Sequence, residues 1–488
     1  MTEAIQFVDQ SIRDGQQSLW GLRMRAGHML PIAKEIDEAG FHVVDFTGSA
    51  MFEVMTRQFK ENPWELLDLV REAMPNSDLR SGARPNAAMG TGFAMAPFSV
   101  VDLLCQTMVK HGVTSFWLYD CLYNMDQMER LARAISSVGG KVLPGLMYAL
   151  SEYHTDEFFA DKVRTIASWG VADAIYLEDA SGVLTPDRAA TLIPALIEAS
   201  NGIPIEMHCH NTTGLASLNY LEGIKAGIRT IHTASRPLAN GPSLPSTEVM
   251  LDNIKALGYT STVDESRLER IAAYFERLAK QEGYELGVPA EYSVRPYEHQ
   301  LPGGMLGTLK YQLATHGLSH RLQETLEETA IVRRELGYPV MATPISQLVG
   351  IQALLNITSG ERYKQVPDDV IKYVLGWTGR PPGPIDPEVL DRILGSERGK
   401  ELAKQQPPQP TIEELRKQHR PGISDEELLL RAVMQESTVD AMYASGPAVR
   451  DLTRQEHPVA ALIRSLSAPG CSDHVHFEDA DLSVELHR

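Results

Sequence analysis

The stretch Pro204–Cys209, with the sequence P-I-E-M-H-C, is followed by a helical pattern over Leu215–Ala226 and then by a β-rich run over Thr230–Ala234. The two β-rich runs are short and apolar, and the segment between them has the amphipathic spacing of a surface helix. Two strands joined by one helix form the unit from which parallel sheets are built. This segment therefore indicates an α/β fold with parallel strands.

The same unit recurs along the first half of the chain, with β-rich runs and helical patterns alternating in repeats of roughly 30 residues. Eight such runs are Ile5–Asp9, His42–Phe46, Asp78–Gly82, Ser115–Tyr119, Lys141–Leu146, Ala174–Glu178, Pro204–Cys209 and Thr230–Ala234. Eight βα repeats predict a closed TIM (β/α)8 barrel. A doubly wound open sheet is the rival architecture, but it usually begins with a glycine-rich phosphate turn. The residues after the first run, Ser11–Gln17, are polar and charged instead.

The β-rich runs stop near residue 260, and helical patterns follow at 264–285, 307–335 and 344–375. The segment Gln405–Thr411 contains three prolines and predicts a linker or a surface crossing. We therefore expect a mainly α-helical C-terminal domain after the barrel. The predicted parts are a catalytic barrel over 1–265, a helical domain over 266–455, and a small hairpin or tail over 456–488.

Composition restricts the class of partner. The chain has 488 residues with 45 basic and 64 acidic side chains, a formal charge of −19, which argues against non-specific binding to nucleic acid or anionic lipid. Four cysteines, none at C-x-x-C spacing, predict buried reduced thiols. The first residues lack a leader pattern, and no run of 18 apolar residues occurs. We expect a cytoplasmic protein without a membrane span.

The motif His208-Cys209-His210 gives the strongest chemical signal. Residues i and i+2 of a strand point to the same side, so both imidazoles would face the C-terminal mouth of the barrel. Two neutral imidazoles there suit Zn²⁺, Mn²⁺, Co²⁺ or Fe²⁺. Taken alone, the motif has a simpler interpretation as polar residues that cap a strand.

Asp14 favours a metal site over the simpler interpretation of the two histidines. It follows the first strand, which neighbours the seventh and eighth strands around a closed barrel, so its carboxylate can meet both imidazoles. For Asp14 alone, the simpler interpretation is a surface salt bridge to Arg13 or Arg23. Together, Asp14, His208 and His210 predict a site for one divalent cation.

The stretch Asp9-x-x-x-Arg13-Asp14-x-x-Gln17-Ser18 resembles the D-x-x-x-R-D-A-H-Q-S motif of biotin-dependent carboxyltransferases. These include the carboxyltransferase domain of pyruvate carboxylase, the oxaloacetate decarboxylase alpha subunit and the transcarboxylase 5S subunit. The likeness continues in order along the chain through Asn62-Pro63-Trp64-Glu65-Leu66, Glu178-Asp179-Ala180-Ser181-Gly182, His208-x-His210, Tyr297-x-His299-Gln300-x-Pro302-Gly303-Gly304 and Thr343-Pro344-x-Ser346. It covers roughly residues 5–450.

The resemblance implies a role for each matching residue. Asp14, His208 and His210 would be the metal ligands, in agreement with the interpretation from spacing. Gln17 would hydrogen-bond the carbonyl or carboxylate of the substrate. Arg84, with Arg80 as the other candidate in this register, would pair with the substrate carboxylate, and Arg13 would also contribute to substrate binding.

Two positions depart from the family pattern. Glu178 stands where the family has a lysine that is carboxylated and completes the metal shell. It would reach the metal through a water or a backbone shift, or act as a general base. Pro242 stands where the family has a proton-shuttling threonine, and proline has no side-chain donor or acceptor. The adjacent Ser243 would take over that role if the loop shifts.

The resemblance implies the carboxyltransferase or decarboxylase subunit of a biotin-dependent complex, which moves a carboxyl group between carboxybiotin and a small carbonyl acid through a metal-stabilised enolate. Neither a biotinyl A-M-K-M motif nor an ATP-grasp signature occurs, so a biotin carboxyl carrier and a biotin carboxylase would be separate chains. A homodimer is also implied. The departures leave open a biotin-independent lyase, aldolase or decarboxylase of 2-oxo acids, and a non-catalytic scaffold is a third alternative.

Overall fold

The computed structural model describes residues 4–87, 89, 95–315, 317–453, 474–479 and 482–487. Among these residues, none of the helices combines the length and the apolar character that crossing a bilayer requires. Three of the four cysteines, Cys105, Cys121 and Cys209, are buried and unpaired as predicted. Cys471 lies outside the described residues.

Eight parallel strands close into a barrel in chain order, with β1 pairing to both β2 and β8. The closed barrel confirms the predicted fold class, and every strand lies within two residues of its predicted bounds. The strands are β1 Gln6–Asp9, β2 Val43–Gly48, β3 Leu79–Ala83, β4 Ser115–Leu118, β5 Lys141–Met147, β6 Ile175–Asp179, β7 Ile205–Cys209 and β8 Thr230–Thr233.

Several of the helices in the barrel repeats begin at capping residues. Asn62 accepts a hydrogen bond from the Trp64 backbone and Pro63 occupies the first turn, while Thr185 caps the helix that begins at Pro186. These helices are α1 Gln16–Trp20, α2 Ala26–Asp37, α3 Ser49–Val54, α4 Pro63–Ala73, α5 Phe98–Lys110, α6 Met125–Ser136, α7 Asp156–Ser168, α8 Pro186–Ala199, α9 Ala216–Ala226, α10 Thr247–Ala256 and α11 Glu265–Glu282.

A helical region follows the barrel. Its helices are α12 Pro296–His299, α13 Gly303–Thr315, α14 Leu322–Glu335, α15 Ile345–Ser359, α16 Asp368–Val374, α17 Pro387–Gly395, α18 Glu397–Leu402, α19 Ile412–Arg416, α20 Asp425–Val433 and α21 Glu436–Ala444. The helical pattern predicted over 307–335 corresponds to two helices, α13 and α14, with a break between them. Gly317 adopts φ +69°, a left-handed conformation that ends a helix, and the chain passes through a short turn at Ser319–Arg321 before α14.

Two of the contacts between the helical region and the barrel are made at Leu150 and at Pro242. Gln300 donates to the Leu150 carbonyl and accepts from the Leu150 backbone, and Arg333 donates to the same carbonyl at 2.9 Å. On the other side, Gly303 lies so close to Pro242 that a Cβ added to it would be 2.2 Å from the proline Cβ. Glycine is therefore required at this contact.

The C-terminal strands β9 His474–Asp479 and β10 Leu482–His487 pair antiparallel, with His474 opposite His487. This pairing has the form of the small hairpin expected there. The boundaries proposed for the three parts of the chain stay predictions.

Candidate active site

Three buried side chains converge at the C-terminal mouth of the barrel. Asp14 lies on the helical turn Ser11–Gly15 after β1, His208 lies on β7, and His210 follows that strand. The Nε2 atoms of the two histidines are 3.2 Å apart. They lie 3.6 Å and 3.5 Å from the carboxylate oxygens of Asp14. The structure thus brings together the three residues that the sequence predicted as metal ligands.

These separations suit a divalent cation better than direct hydrogen bonds. Zn²⁺ binds imidazole nitrogen and carboxylate oxygen at about 2.0–2.2 Å, so neighbouring ligands of a tetrahedral site stand about 3.3 Å apart. Hydrogen bonds from nitrogen to oxygen are usually shorter than about 3.2 Å. Within the described part of the chain, this is the one group of three or more such side chains whose ligand atoms all lie within 4.8 Å of one another. The donor set also fits Mn²⁺, Co²⁺ and Fe²⁺.

The positions of the protons favour the same interpretation. His210 Nδ1 lies 2.6 Å from the Pro242 carbonyl, which only accepts, so Nδ1 carries the proton and Nε2 of the neutral ring has a free lone pair. Asp14 accepts from the Ser18 hydroxyl at 2.8 Å and pairs with Arg13 at 2.7 Å. Burial opposes ionisation of Asp14, but the charge of Arg13 outweighs it and holds the pKa below its usual value.

Glu178 lies on β6 directly beside His208 in the strand register. Its side chain is buried, and its Oε2 atom has no hydrogen-bond partner among the described residues. Burial raises its pKa to about 8, although Arg13 opposes the shift. Its oxygens are not part of the group formed by Asp14, His208 and His210. The structure therefore places a carboxyl group next to the cluster, and its direct contact with a metal stays a prediction.

A pocket of about 540 Å³ of empty volume adjoins this cluster. Arg13, Gln17 and Arg84 line it together with the rings of Trp117 and Tyr119. Arg13 connects the pocket to the cluster, because its guanidinium pairs with Asp14 and lies 5.0 Å from the centre of the Trp117 ring. The three side chains predicted to bind substrate therefore face one space.

Arg84 and Arg80 occupy different depths of the barrel. Arg84 lines the pocket, whereas Arg80 is buried in the interior and pairs with Glu206 at 2.5 Å. The position of Arg84 makes it the better candidate for binding a carboxylate. Arg84 and Tyr119 also line a second cavity, whose wall includes Asn86 and Thr378.

Ser243 does not join this group in the structure. Its buried hydroxyl donates to the Leu238 carbonyl at 2.7 Å, and it lines neither the pocket nor the adjoining cavity. A catalytic role for Ser243 stays a prediction that would require the loop to move. Its neighbour Pro242 contributes to the site through a different atom, the backbone carbonyl that fixes His210.

Two side chains that contact His208 were not predicted from the sequence. The Tyr176 hydroxyl lies 2.7 Å from His208 Nδ1, and His232 Nδ1 lies 3.4 Å from the same atom. The alternation of side chains along a strand could have indicated Tyr176. It is two residues before Glu178 on β6 and therefore points to the same side of the strand.

A closed (β/α)8 barrel with one carboxylate and two imidazoles at its C-terminal mouth defines the class of metal-dependent TIM-barrel enzymes. The comparison with protein families narrows this class. The HMGL-like family model matches residues 4–274, and the conserved carboxylase domain model matches residues 297–459.

Individual relatives agree with the two family matches. The chain is 35% identical to one of the pyruvate carboxylase subunits of Methanocaldococcus jannaschii, over 80% of this chain and 68% of the relative. It is 33% identical to the 2-oxoglutarate carboxylase large subunit of Hydrogenobacter thermophilus, over 80% and 60%. It is 30% identical to the methylmalonyl-CoA carboxyltransferase 5S subunit of Propionibacterium freudenreichii, over 81% and 77%.

A solved structure gives the same result. The carboxyl transferase domain of Rhizobium etli pyruvate carboxylase superimposes with a TM-score of 0.81 at 25% identity, covering 99% of this chain and 83% of that domain. The chain belongs to the HMGL-like family and, within it, to the carboxyltransferase subunits of biotin-dependent carboxylases. The predicted family, fold and enzyme class are therefore confirmed.

Proposed function

We propose that this chain transfers a carboxyl group between carboxybiotin on a separate carrier protein and a small 2-oxo acid or related carbonyl acid. Asp14, His208 and His210 would hold one Zn²⁺, Mn²⁺ or Co²⁺ ion. The observation that carries the proposal is the convergence of these three ligand groups beside a pocket lined by Arg84 and Gln17. Two relatives are carboxylases named for pyruvate and 2-oxoglutarate, which are both 2-oxo acids.

The pocket residues supply binding and orientation. The planar guanidinium of Arg84 would pair with the carboxylate of the acceptor through two parallel hydrogen bonds. The Gln17 amide would donate to an oxygen of the acceptor, and Arg13 would add positive charge at the same wall. When bound, the cation would withdraw charge from the acceptor carbonyl oxygen and so favour proton loss at the adjacent carbon.

Glu178 is the proposed proton acceptor at this site. Its unpartnered Oε2 atom is buried beside His208, and the pKa of about 8 makes its ionised form a strong base for a carboxylate, which can take a proton from the acceptor and hold it. Ser243 would relay a proton only after its hydroxyl leaves the Leu238 carbonyl. We place Ser243 second for this reason.

The proposed partners are the biotin carrier, a biotin carboxylase and a second copy of this chain. In this arrangement the biotin group visits two enzymes in turn, and the present chain performs only the transfer to the carbonyl acid.

The test uses the purified chain loaded in turn with Zn²⁺, Mn²⁺ and Co²⁺. Oxaloacetate with a labelled carboxyl group is supplied with and without a biotinylated carrier, and both pyruvate release and label on the carrier are measured. We expect both signals only when metal and carrier are present together. A panel of 2-oxo acids offered to the carboxylated carrier would then identify the acceptor. Absence of transfer across the whole panel with every metal would contradict the proposal.

Arg84→Gln should raise the KM for the acceptor about 10-fold or more, since a charge-assisted bond contributes about 1.5–3 kcal/mol. Arg270→Gln is the matched control, because Arg270 is half exposed on α11 and pairs with Glu35 on the outside of the barrel. It should leave KM unchanged.

A biotin-independent lyase, aldolase or decarboxylase is the second candidate. Glu178 favours it, because glutamate replaces the lysine that the resemblance predicts at this position. Metal-dependent turnover of 2-oxo acids by the chain alone, without any carrier, would support this candidate over carboxyl transfer.

A further inference from the structure

We propose that Tyr176 and His232 are positioning residues that keep the proton of His208 on Nδ1, with Glu206 and Gln10 fixing the ring of His232 from behind. This assignment rests on the proposed metal site, because its effect is to leave the Nε2 lone pair of His208 directed at the cation. Three linked sets of hydrogen bonds connect the barrel interior to this metal ligand.

The first link is the ion pair beneath the site. Both terminal nitrogens of Arg80 donate hydrogen bonds to the carboxylate oxygens of Glu206, at 2.5 Å and 3.2 Å. Both carboxylate oxygens of Glu206 accept from this guanidinium, which is the arrangement of an ionised carboxylate paired with arginine. An ionised carboxylate only accepts hydrogen bonds. His232 Nε2, which lies 2.9 Å from Glu206 Oε2, must therefore carry a proton.

The second link fixes the other nitrogen of that ring. The Gln10 side-chain oxygen accepts from Arg13 Nε at 3.2 Å, and arginine can only donate. The Gln10 amide nitrogen therefore faces away from Arg13, where it donates to Asp45 at 3.1 Å and to His232 Nδ1 at 2.9 Å. His232 Nδ1 is consequently an acceptor without a proton.

The third link reaches the metal ligand. His208 Nδ1 lies 2.7 Å from the Tyr176 hydroxyl and 3.4 Å from the bare His232 Nδ1. A proton on His208 Nδ1 can be donated to the Tyr176 oxygen, whereas a bare nitrogen there would lie 3.4 Å from the bare nitrogen of His232, with two acceptor atoms facing each other. The neutral His208 ring thus keeps its proton on Nδ1 and its lone pair on Nε2, and a partner that fixes the tautomer in this way raises the affinity of the ligand for metal.

Two variants test the assignment by metal binding. Tyr176→Phe and His232→Phe should each weaken binding of Zn²⁺ about 10-fold or more, measured by competition with a chromophoric chelator. Tyr220→Phe is the matched control. Tyr220 is an equally buried tyrosine that bonds the backbone of Cys209 and His232 but none of the imidazole nitrogens described above, so it should lower stability without changing affinity.

The position of the proton on the His208 ring distinguishes the proposed role from a purely structural one, because a loss of stability alone would not change it. In metal-free protein with ¹⁵N-labelled histidine, the His208 signals should show a proton on Nδ1 in the wild type and a mixture of tautomers in His232→Phe. Wild-type affinity in both variants together with an unchanged tautomer would overturn the assignment. If His232→Phe does not fold, Tyr176→Phe carries the affinity test.

Failure of the proposed function would look different. A wild-type chain that binds no divalent cation would contradict the metal site itself, while the tautomer of His208 in the metal-free protein would still test the positioning by Tyr176 and His232.

Discussion

Asp14 and Glu206 are two buried carboxylates with the same kinds of neighbour, an arginine and histidine, but the spacing differs. Glu206 accepts from its arginine at 2.5 Å and from the His232 ring at 2.9 Å, so each contact is a hydrogen bond. Asp14 forms an ion pair with Arg13 at 2.7 Å, but the nitrogens of its two neighbouring imidazoles lie 3.5 Å and 3.6 Å from its oxygens.

Residue types alone therefore do not distinguish an ion pair from a metal site. At Glu206 the nitrogen of the His232 ring carries a proton and donates it directly to the carboxylate oxygen, so no ion is needed between the two groups. At Asp14 the proton of His210 is directed away to the Pro242 carbonyl, so acceptor atoms face one another with room for an ion between them. Four measurements test this difference between the two carboxylates.

We expect the two carboxylates to differ most in their contribution to the free energy of unfolding. Glu206→Ala would leave the buried charge of Arg80 uncompensated and should lower the free energy of unfolding by about 3–5 kcal/mol. Asp14→Ala should cost less, because Arg13 keeps a second carboxylate, Asp45, at 3.4 Å. Denaturant titrations of the metal-free proteins compare the two. Equal losses would show that Asp14 is mainly a structural ion pair.

Metal affinity should reverse that order. Asp14→Ala removes a direct ligand and should weaken Zn²⁺ binding more than about 100-fold, beyond the 10- to 100-fold range typical of outer partners. Isothermal titration of apo protein measures the change. A variant that binds as tightly as the wild type would exclude Asp14 as a ligand.

Metal should also stabilise the folded chain. At a free concentration of about 100 times Kd, a ligand that binds only the folded state adds about 2.7 kcal/mol to the free energy of unfolding. We expect a higher Tm on adding Zn²⁺ to the wild type and little change in Asp14→Ala. A rise of equal size in both proteins would place the ion elsewhere.

The smallest effect concerns Glu178, a third buried carboxyl group with an unpartnered oxygen. Its pKa is raised from 4.5 to about 8, so between these values the folded state keeps a proton that the unfolded state loses. The stability of the metal-free wild type should therefore fall as pH rises from about 5 to 8, relative to Glu178→Gln, by at least about 1 kcal/mol. Parallel pH profiles of stability for the two proteins would show that Glu178 ionises normally.

The barrel and the metal ligands could be predicted because their signals are periodic and local. Period-two alternation fixes the side of a strand on which a residue lies, and two histidines at i and i+2 with an aspartate after β1 leave few other meeting points.

Strand alternation does not decide whether Arg80 or Arg84 faces the substrate pocket. Arg80 lies on β3 and Arg84 directly after it, so both belong to the same stretch of chain and periodicity does not indicate which of them lines the pocket. The direction of the Ser243 hydroxyl and the break near Gly317 depend on tertiary contacts and on backbone conformation, which hydrophobic periodicity does not encode.

The close contact between Gly303 and Pro242 makes the two halves of the molecule interdependent. Pro242 carries the carbonyl that orients His210, and the first residue of α13 presses against the ring of that proline. A polypeptide that stopped at residue 274 would retain every proposed ligand of the ion and lose the support behind one of them. The helical region therefore supports the metal site from outside the barrel. Removing it by proteolysis should lower the affinity for the ion, even where the cut lies far along the chain from β7.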